Sequence, residues 1–133
     1  MLKDLCARLP YGVKVKLGDN PNIFDLEYRI KFAIMYGDSD KLEDILDITN
    51  IKPYLFPLSS MTEEQKKDIF RNGTFFFDRH NTLCRVPKHN DDYDYATFED
   101  YLEITEKLNK NHFDYRGLIS KGLANDATGL NIY

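Results

Sequence analysis

The segment GVKVKLGDNPNIFDLEYRIKFAIM, residues 12–35, decides which fold this sequence predicts. Val13, Val15 and Leu17 alternate with lysines in its first part, and apolar and polar residues alternate again over 26–35. A period of two is typical of strands that bury one face. The intervening GDNPN contains a glycine and an Asn-Pro pair, which favour a turn. The segment therefore predicts a β-hairpin.

Other parts of the sequence indicate helices and a second hairpin. Apolar residues at helical spacing predict a short helix at the N-terminus that Pro10 ends. Ser60 and Glu63 form a capping-box pattern before a helix predicted at about 61–71. The apolar runs on either side of DRHN predict a second β-hairpin within 73–87.

The strongest helical signal begins at Thr97. Thr97 and Asp100 stand at the N-cap and the third helical position, and Glu–Lys pairs follow at i,i+4 spacing. Five residues share one predicted face of this helix, which we expect to be buried: Phe98, Tyr101, Leu102, Thr105 and Leu108.

Three segments carry weaker signals. The run at 42–48 fits a strand or a helical turn equally well. The prolines in 51–60 predict an extended, irregular crossing that leads to the helix after it. The tail at 123–133 has little apolar periodicity, and we expect it to fray.

Helices and short hairpins in irregular order predict an α+β fold. The expected architecture is a small antiparallel sheet of short hairpins packed with two or three helices. A curled, SH3-like barrel built from the first strands is an alternative. The 133 residues, 42% of them hydrophobic, predict a single domain over 1–133 with its own core.

Composition narrows the classes of protein to which the chain can belong. Its net charge is −4, but residues 1–36 hold six Lys/Arg against four Asp/Glu. No apolar run approaches the roughly 18 residues of a membrane helix, and charges interrupt the N-terminus where a signal peptide is apolar. Cys6 and Cys84 lie far apart, which predicts reduced thiols. We expect a cytoplasmic protein that does not bind membranes.

No motif for catalysis, metal binding or cofactor binding is apparent. His80, Cys84 and His89 lie within ten residues, but structural zinc sites use four ligands and no second cluster completes this one. The acidic runs lack the calcium-loop pattern, and no Gly-x-Ser-x-Gly or phosphate-binding loop occurs. We therefore predict no catalytic residue, no metal and no cofactor. This favours a non-enzymatic protein, with an enzyme of unrecognised type as an alternative.

The predicted first hairpin would gather positive charge on one surface. If its strands pair, four cations lie on the face opposite the buried valines: Lys14, Lys16, Arg29 and Lys31. Such a face suits an acidic partner or the phosphates of a nucleic acid. These four residues are therefore candidate binding residues. An ordinary solvated sheet face explains the same pattern.

The stretch NKNHFDYRGLISKGLA, residues 109–124, places a histidine, an acid, a tyrosine and an arginine close together. We interpret it as a corner between two helices, in which Asp114 caps a new short helix over 115–121. His112 and Arg116 are the residues of this stretch that a partner could contact, and we add them to the candidate binding residues.

Three strings together resemble a known group of proteins: RLPYG at 8–12, KPYLFPLSSMTEEQKKD at 52–68 and HFDYRGLISKGLA at 112–124. They are similar to strings in small uncharacterised proteins of bacteriophages and prophages of gut anaerobic bacteria. The resemblance covers the beginning, centre and end of the chain, and it implies a context without an activity. It implies a phage-encoded accessory protein in the bacterial host cytoplasm. We expect its partner to be an unknown host or phage protein, with nucleic acid as the alternative.

Overall fold

The computed structural model describes residues 2–36, 50–86 and 94–133. The described residues have an α+β fold with four helices and eight short strands. The helices are α1 Leu2–Arg8, α2 Leu26–Tyr36, α3 Glu63–Ile69 and α4 Phe98–Lys110. The strands are β1 Lys14–Leu17, β2 Phe24–Asp25, β3 Ile51–Pro57, β4 Phe75–Phe77, β5 Leu83–Arg85, β6 Asp94–Tyr95, β7 Phe113–Asp114 and β8 Asn125–Asp126. The run 42–48 and His89 lie outside the described residues.

Five of the strands form a mixed sheet in the order β2-β1-β3-β7, with β8 also paired to β3. β1 pairs antiparallel with β2 and β3, whereas the expected partner was a strand over 26–35. β3 pairs parallel with β7 and β8, which the expected antiparallel sheet did not include. In the described part of the chain these strands follow an open order, so the alternative of an SH3-like barrel is not found.

The central strand β3 is formed by the segment predicted to be an irregular crossing. Its pairing with β1 covers 51–53 and stops at Pro53, a residue that has no N–H to donate to a ladder. Beyond Pro53 its partners are β8 and β7. The Phe56 N–H donates to the His112 carbonyl at 2.8 Å, and the Ala127 N–H donates to the Leu55 carbonyl at 2.8 Å. One strand therefore joins the N-terminal and C-terminal parts of the chain.

The prediction of a strand over 26–35 is wrong, because this segment forms helix α2. Leu26 and Ile30 are four residues apart, so the alternating pattern also has a helical spacing. The Asp25 carboxylate accepts the Tyr28 N–H at 2.9 Å and caps the helix. Leu26 is buried in the N-terminal core, and Ile30 packs against it. The predicted two-stranded basic face consequently does not form.

The second hairpin and the two later helices are confirmed. β4 pairs antiparallel with β5, and β6 extends this second sheet. Helix α3 is held by a capping box, but its members are Thr62 and Gln65 instead of the predicted Ser60 and Glu63. Helix α4 begins where expected, with the Thr97 hydroxyl accepting the backbone N–H of the third helical residue at 3.2 Å.

The buried face of α4 is rotated from the predicted one. Ile104, Thr105, Leu108 and Asn109 are buried, whereas three residues of the predicted apolar face are exposed: Phe98, Tyr101 and Leu102. Thr105 and Leu108 were predicted correctly. The first turns of α4 therefore present large apolar side chains to solvent.

The expected helix over 115–121 is replaced by turns. Asp114 therefore caps no helix, but its two carboxylate oxygens accept the N–H groups of Leu118 and Ile119 at 2.9 and 2.8 Å. Leu118 then packs with Leu55 of the central strand in a small core cluster. This corner is consequently fixed to the sheet.

We predict that Leu55→Ala lowers the free energy of unfolding by about 2–5 kcal/mol, because a fully buried side chain on the central strand leaves a cavity. Urea denaturation measures this change. Leu102→Ala is the matched control, since Leu102 is 50% exposed on a helix, and we expect a change within about 0.5 kcal/mol. Equal losses for the two variants would contradict the central position of β3.

Candidate functional site

A cavity of about 550 Å³ lies where the start of β1, the end of β3 and the end of α4 meet. We call it the Lys14–His112 cavity. Its charged lining residues are Lys14 and Lys110, and its other polar lining residues include Gln65 and Asn111. The aromatic rings of Tyr11, Phe56, Phe113 and Tyr133 form much of the remaining wall. No Asp or Glu is among the described residues that line it.

His112 is held in the cavity wall by its backbone. Its φ is +60°, a left-handed conformation in which the chain turns away from α4. Its N–H donates to the Asn109 carbonyl at 3.1 Å. His112 is 6% exposed, and its Nδ1 is buried and has no hydrogen-bond partner among the described residues.

Burial and the nearby positive charge of Arg8 lower the pKa of His112 to about 4. Both act against the imidazolium, which would be poorly hydrated and close to another cation. His112 is therefore neutral at physiological pH, so it offers the cavity a hydrogen-bonding group without a charge.

Tyr133 covers one side of His112. The two rings stack with centroids 3.6 Å apart and an interplanar angle of 13°. The Tyr133 hydroxyl accepts the Lys14 N–H at 2.8 Å and donates to the Tyr54 carbonyl at 2.8 Å. Burial raises the pKa of Tyr133 to about 12. The prediction that 123–133 frays is consequently wrong for its last residue, which is bound to β1 and β3.

Arg8 lies beneath this wall and has no exposed surface. One of its terminal nitrogens donates to the Phe113 carbonyl at 2.7 Å, and its guanidinium carbon lies 5.6 Å from the centre of the Tyr115 ring. Its Nε and Nη1 have no partner among the described residues. Burial lowers the pKa of Arg8, while Tyr115 and the carboxylates of Asp4 and Asp114 raise it.

A second, smaller cavity of about 250 Å³ is lined by Arg116 and Lys121, which follow β7 in the sequence. We call it the Arg116–Lys121 cavity. It is also lined by His80 and Asn81 of the β4–β5 turn and by the ring of Tyr101 on α4. Arg116 donates to the buried Asp4 carboxylate at 2.8 Å while its own side chain is 45% exposed.

The structure divides the six candidate binding residues among four places. Lys14 and His112 line the Lys14–His112 cavity, and Arg116 lines the Arg116–Lys121 cavity. Lys16 lies on β1 directly across from Lys52 of β3. Arg29 and Lys31 are on α2, where residues two apart point in different directions, and Lys31 pairs with Glu27 at 2.7 Å. The binding role of each of these residues stays a prediction.

Sequence reasoning missed Lys110, Tyr133, Lys52 and Lys121. Tyr133 lies close to His112 only because the C-terminal segment returns to β3, whereas Lys110 is two residues from His112 in the sequence and could have been named with it. Lys52 could have been found from the sequence. It is next to Pro53 in a segment in which every second residue is apolar, a pattern typical of a strand. The prolines of that segment obscured the pattern.

The described residues contain no group of three or more His, Cys, Asp or Glu side chains placed to hold a metal ion. Within the same residues Cys6 is exposed and Cys84 is buried, and both are free thiols. No helix found in the described ranges has the length and apolar character needed to cross a bilayer. Comparison with protein-family models, with curated proteins and with solved structures finds no match to this chain.

We predict that His112 makes stability fall in acid. The unfolded histidine takes up a proton near pH 6.5 and the folded one only near pH 4, so protons favour the unfolded chain between these values. The contribution present above pH 6.5 is lost as the pH falls, by about 2 kcal/mol between pH 7.5 and 5.

His112→Asn tests this, because asparagine tolerates a positive φ and does not titrate. Urea denaturation of both proteins at pH 7.5 and pH 5 measures the change. We expect a smaller loss of stability for the variant. An equal loss of stability in the two proteins would contradict the prediction, because it would show that the pKa of the folded imidazole is not lowered.

Proposed function

We propose that this protein is a non-enzymatic binding protein whose Lys14–His112 cavity takes an acidic segment of another protein. The observation that carries the proposal is the composition of the cavity wall. It combines two lysines with aromatic rings and neutral hydrogen-bonding groups, and its described lining includes no carboxylate, although the chain as a whole has a net charge of −4.

The positive charge of the cavity depends mainly on Lys110. Lys14 is paired with Asp25 at 3.0 Å, so a carboxylate already balances part of its charge. The nearby Glu106 accepts a hydrogen bond from the Tyr11 hydroxyl at 3.3 Å. Lys110 is exposed at the end of α4 and has no ion pair among the described residues. An incoming carboxylate would therefore find the ammonium group of Lys110 available, whereas that of Lys14 is shared with Asp25.

The uncharged part of the wall suits a side chain or backbone of mixed character. The rings of Phe56 and Tyr133 pack edge to face, and Tyr133 in turn stacks on His112. Gln65 and Asn111 provide amide groups, and His112 provides an uncharged imidazole in the wall. A peptide has acids, N–H groups and apolar surface within a few residues, so it matches this combination.

Nucleic acid is the second candidate partner, and one observation favours it. In the β1–β3 register Lys16 is opposite Lys52, and Lys14 is on the same face of β1. These three lysines lie on strands next to the aromatic rings of the cavity. Lysines beside exposed rings suit a single strand, whose phosphates and bases they would contact separately.

The phage origin and the cellular location belong to this proposal. The strings at 8–12, 52–68 and 112–124 that resemble phage and prophage proteins support a phage-encoded accessory protein in the host cytoplasm. In that setting the acidic segment would belong to a host or phage protein.

Fluorescence anisotropy of two labelled probes tests the proposal, namely a short peptide rich in Glu and Tyr and a short poly-dT strand. We expect the peptide to bind and Lys110→Glu to weaken its binding by about tenfold, because an attractive contact becomes a repulsive one. Lys67→Glu is the matched control, since Lys67 is an exposed helical lysine outside the cavity, and we expect little change.

The pattern across the variants separates the candidates. Peptide binding that is lost in Lys110→Glu and kept in Lys67→Glu supports the proposal. Binding of poly-dT alone, weakened by Lys52→Glu and by salt, supports the nucleic-acid candidate instead. Peptide binding that Lys67→Glu and Lys110→Glu weaken equally would contradict a role for the cavity.

A further inference from the structure

The Arg116–Lys121 cavity has a surplus of positive charge that the proposed function does not use. Its wall brings together three elements: the corner after β7, the β4–β5 turn and helix α4. Its cationic members are Arg116 and Lys121, and no Asp or Glu is among the described residues that line it. An acidic protein therefore has a second polar cavity lined by cations without acids.

The carboxylates near this cavity are already engaged elsewhere. Asp78 accepts the N–H groups of His80 and Thr82 at 2.8 and 3.0 Å, and these contacts lower its pKa. Asp114 accepts two backbone N–H groups of the corner. Asp100 pairs with Arg71 at 3.1 Å.

Among the described residues, Asp4 is the one acid that reaches a cation of the cavity, through one terminal nitrogen of Arg116. The Lys121 ammonium donates to the Arg116 carbonyl at 3.3 Å, which is a neutral acceptor. Among the described residues Lys121 has no ion pair. The charge of Lys121 and the unused face of the Arg116 guanidinium are thus available to a ligand.

The cavity walls are held in place without a ligand. The β4–β5 turn lies close to the corner. A Cβ placed on Gly117 would be 3.8 Å from the side-chain nitrogen of Asn81, which is van der Waals contact. Gly117 has φ +69°, which other residues adopt with strain. On the inner side, the Tyr115 ring stacks on Phe77 with centroids 5.9 Å apart. A ligand would therefore meet a largely preformed set of donors.

The donors outnumber the acceptors that a carboxylate offers. Arg116, Lys121 and Asn81 present guanidinium, ammonium and amide N–H groups, and Tyr101 adds a hydroxyl. A carboxylate has two oxygens, whereas a terminal phosphate has three and carries close to two charges at neutral pH. The volume of about 250 Å³ equals roughly eight water molecules at ~30 Å³ each, enough for a phosphate and a small substituent.

We infer that the Arg116–Lys121 cavity is a binding site for a phosphate monoester or inorganic phosphate. Arg116 and Lys121 balance the charge of the phosphate, and Asn81 and Tyr101 donate to its oxygens. The aromatic wall of Phe77 and Tyr101 lies where the substituent of a monoester would be placed. This site shares no lining residue with the Lys14–His112 cavity, so the inference does not depend on the proposed function.

Titration of the full chain followed by ¹H–¹⁵N NMR tests the inference at constant ionic strength and pH about 7.5, where a phosphate monoester is doubly charged. The ligands are inorganic phosphate, phenyl phosphate and acetate, each up to about 20 mM, which detects a Kd near ~1 mM. We expect saturable shifts at the Asn81, Gly117 and Lys121 amides with both phosphates. Acetate should bind at least about tenfold more weakly.

Phenyl phosphate and inorganic phosphate distinguish the two sources of the group. Tighter binding of phenyl phosphate identifies a monoester with an apolar substituent, because the aromatic wall then contributes. Equal binding identifies free phosphate. Either result supports the site, whereas equal binding of acetate and phosphate would overturn it.

Lys121→Met removes the available ammonium from an exposed position, and we expect about tenfold weaker phosphate binding. Lys67→Met removes an exposed helical lysine outside both cavities and is the matched control. An unchanged amide spectrum outside the cavity shows that each variant is folded. Equal weakening by the two variants, or phosphate shifts that do not saturate, would overturn the inference.

Discussion

The buried guanidinium of Arg8 is the constraint on which the rest of the structure depends. A charge without water has to find its hydrogen bonds and opposing charges inside the protein, since a buried ion left alone costs several kcal/mol. Arg8 meets part of this requirement with the Phe113 carbonyl, the face of Tyr115 and the nearby carboxylates of Asp4 and Asp114. Its Nε and Nη1 have no partner among the described residues. Helix α1 and strand β7 must therefore pack together, and β7 in turn pairs with the central strand β3. The sequence strings at 8–12, 52–68 and 112–124 thus meet at one place in the fold.

The electrostatics of both cavities follow from this arrangement. Arg8 contributes to keeping the His112 imidazole neutral, so the wall of the larger cavity carries no second buried charge. Asp4 pairs with Arg116, and Asp114 binds the backbone of the corner, and neither carboxylate is among the described residues that line these two cavities. An overall acidic chain can in this way present cationic cavities. The net charge of the chain alone would have suggested a basic partner instead of an acidic one.

The sequence predicted those elements whose signals are local. Val15 and Leu17 alternate with lysines in β1, and Thr97 caps the helix that follows it. The prediction of a strand over 26–35 was wrong because the spacing of Leu26 and Ile30 fits the period of a strand and that of a helix. The helix cap at Asp25, which distinguishes the two, was overlooked. Strand β3 contains prolines, and β7 and β8 have two residues each, too short for a periodic pattern. The cavities depend on these non-local pairings, so only some of their residues, such as Lys14 and His112, could be found in advance.

The central claim is that an acidic protein segment enters the Lys14–His112 cavity. Mapping amide and aromatic-ring NMR shifts during titration with the Glu- and Tyr-rich peptide locates the contact directly. The account predicts that the largest shifts occur at Tyr11, Lys110, the His112 ring and the Tyr133 ring, since these groups line one cavity. Shifts confined to the sheet face around Lys16 and Lys52, or to the apolar side chains exposed on α4, with the His112 and Tyr133 rings unchanged, would contradict it.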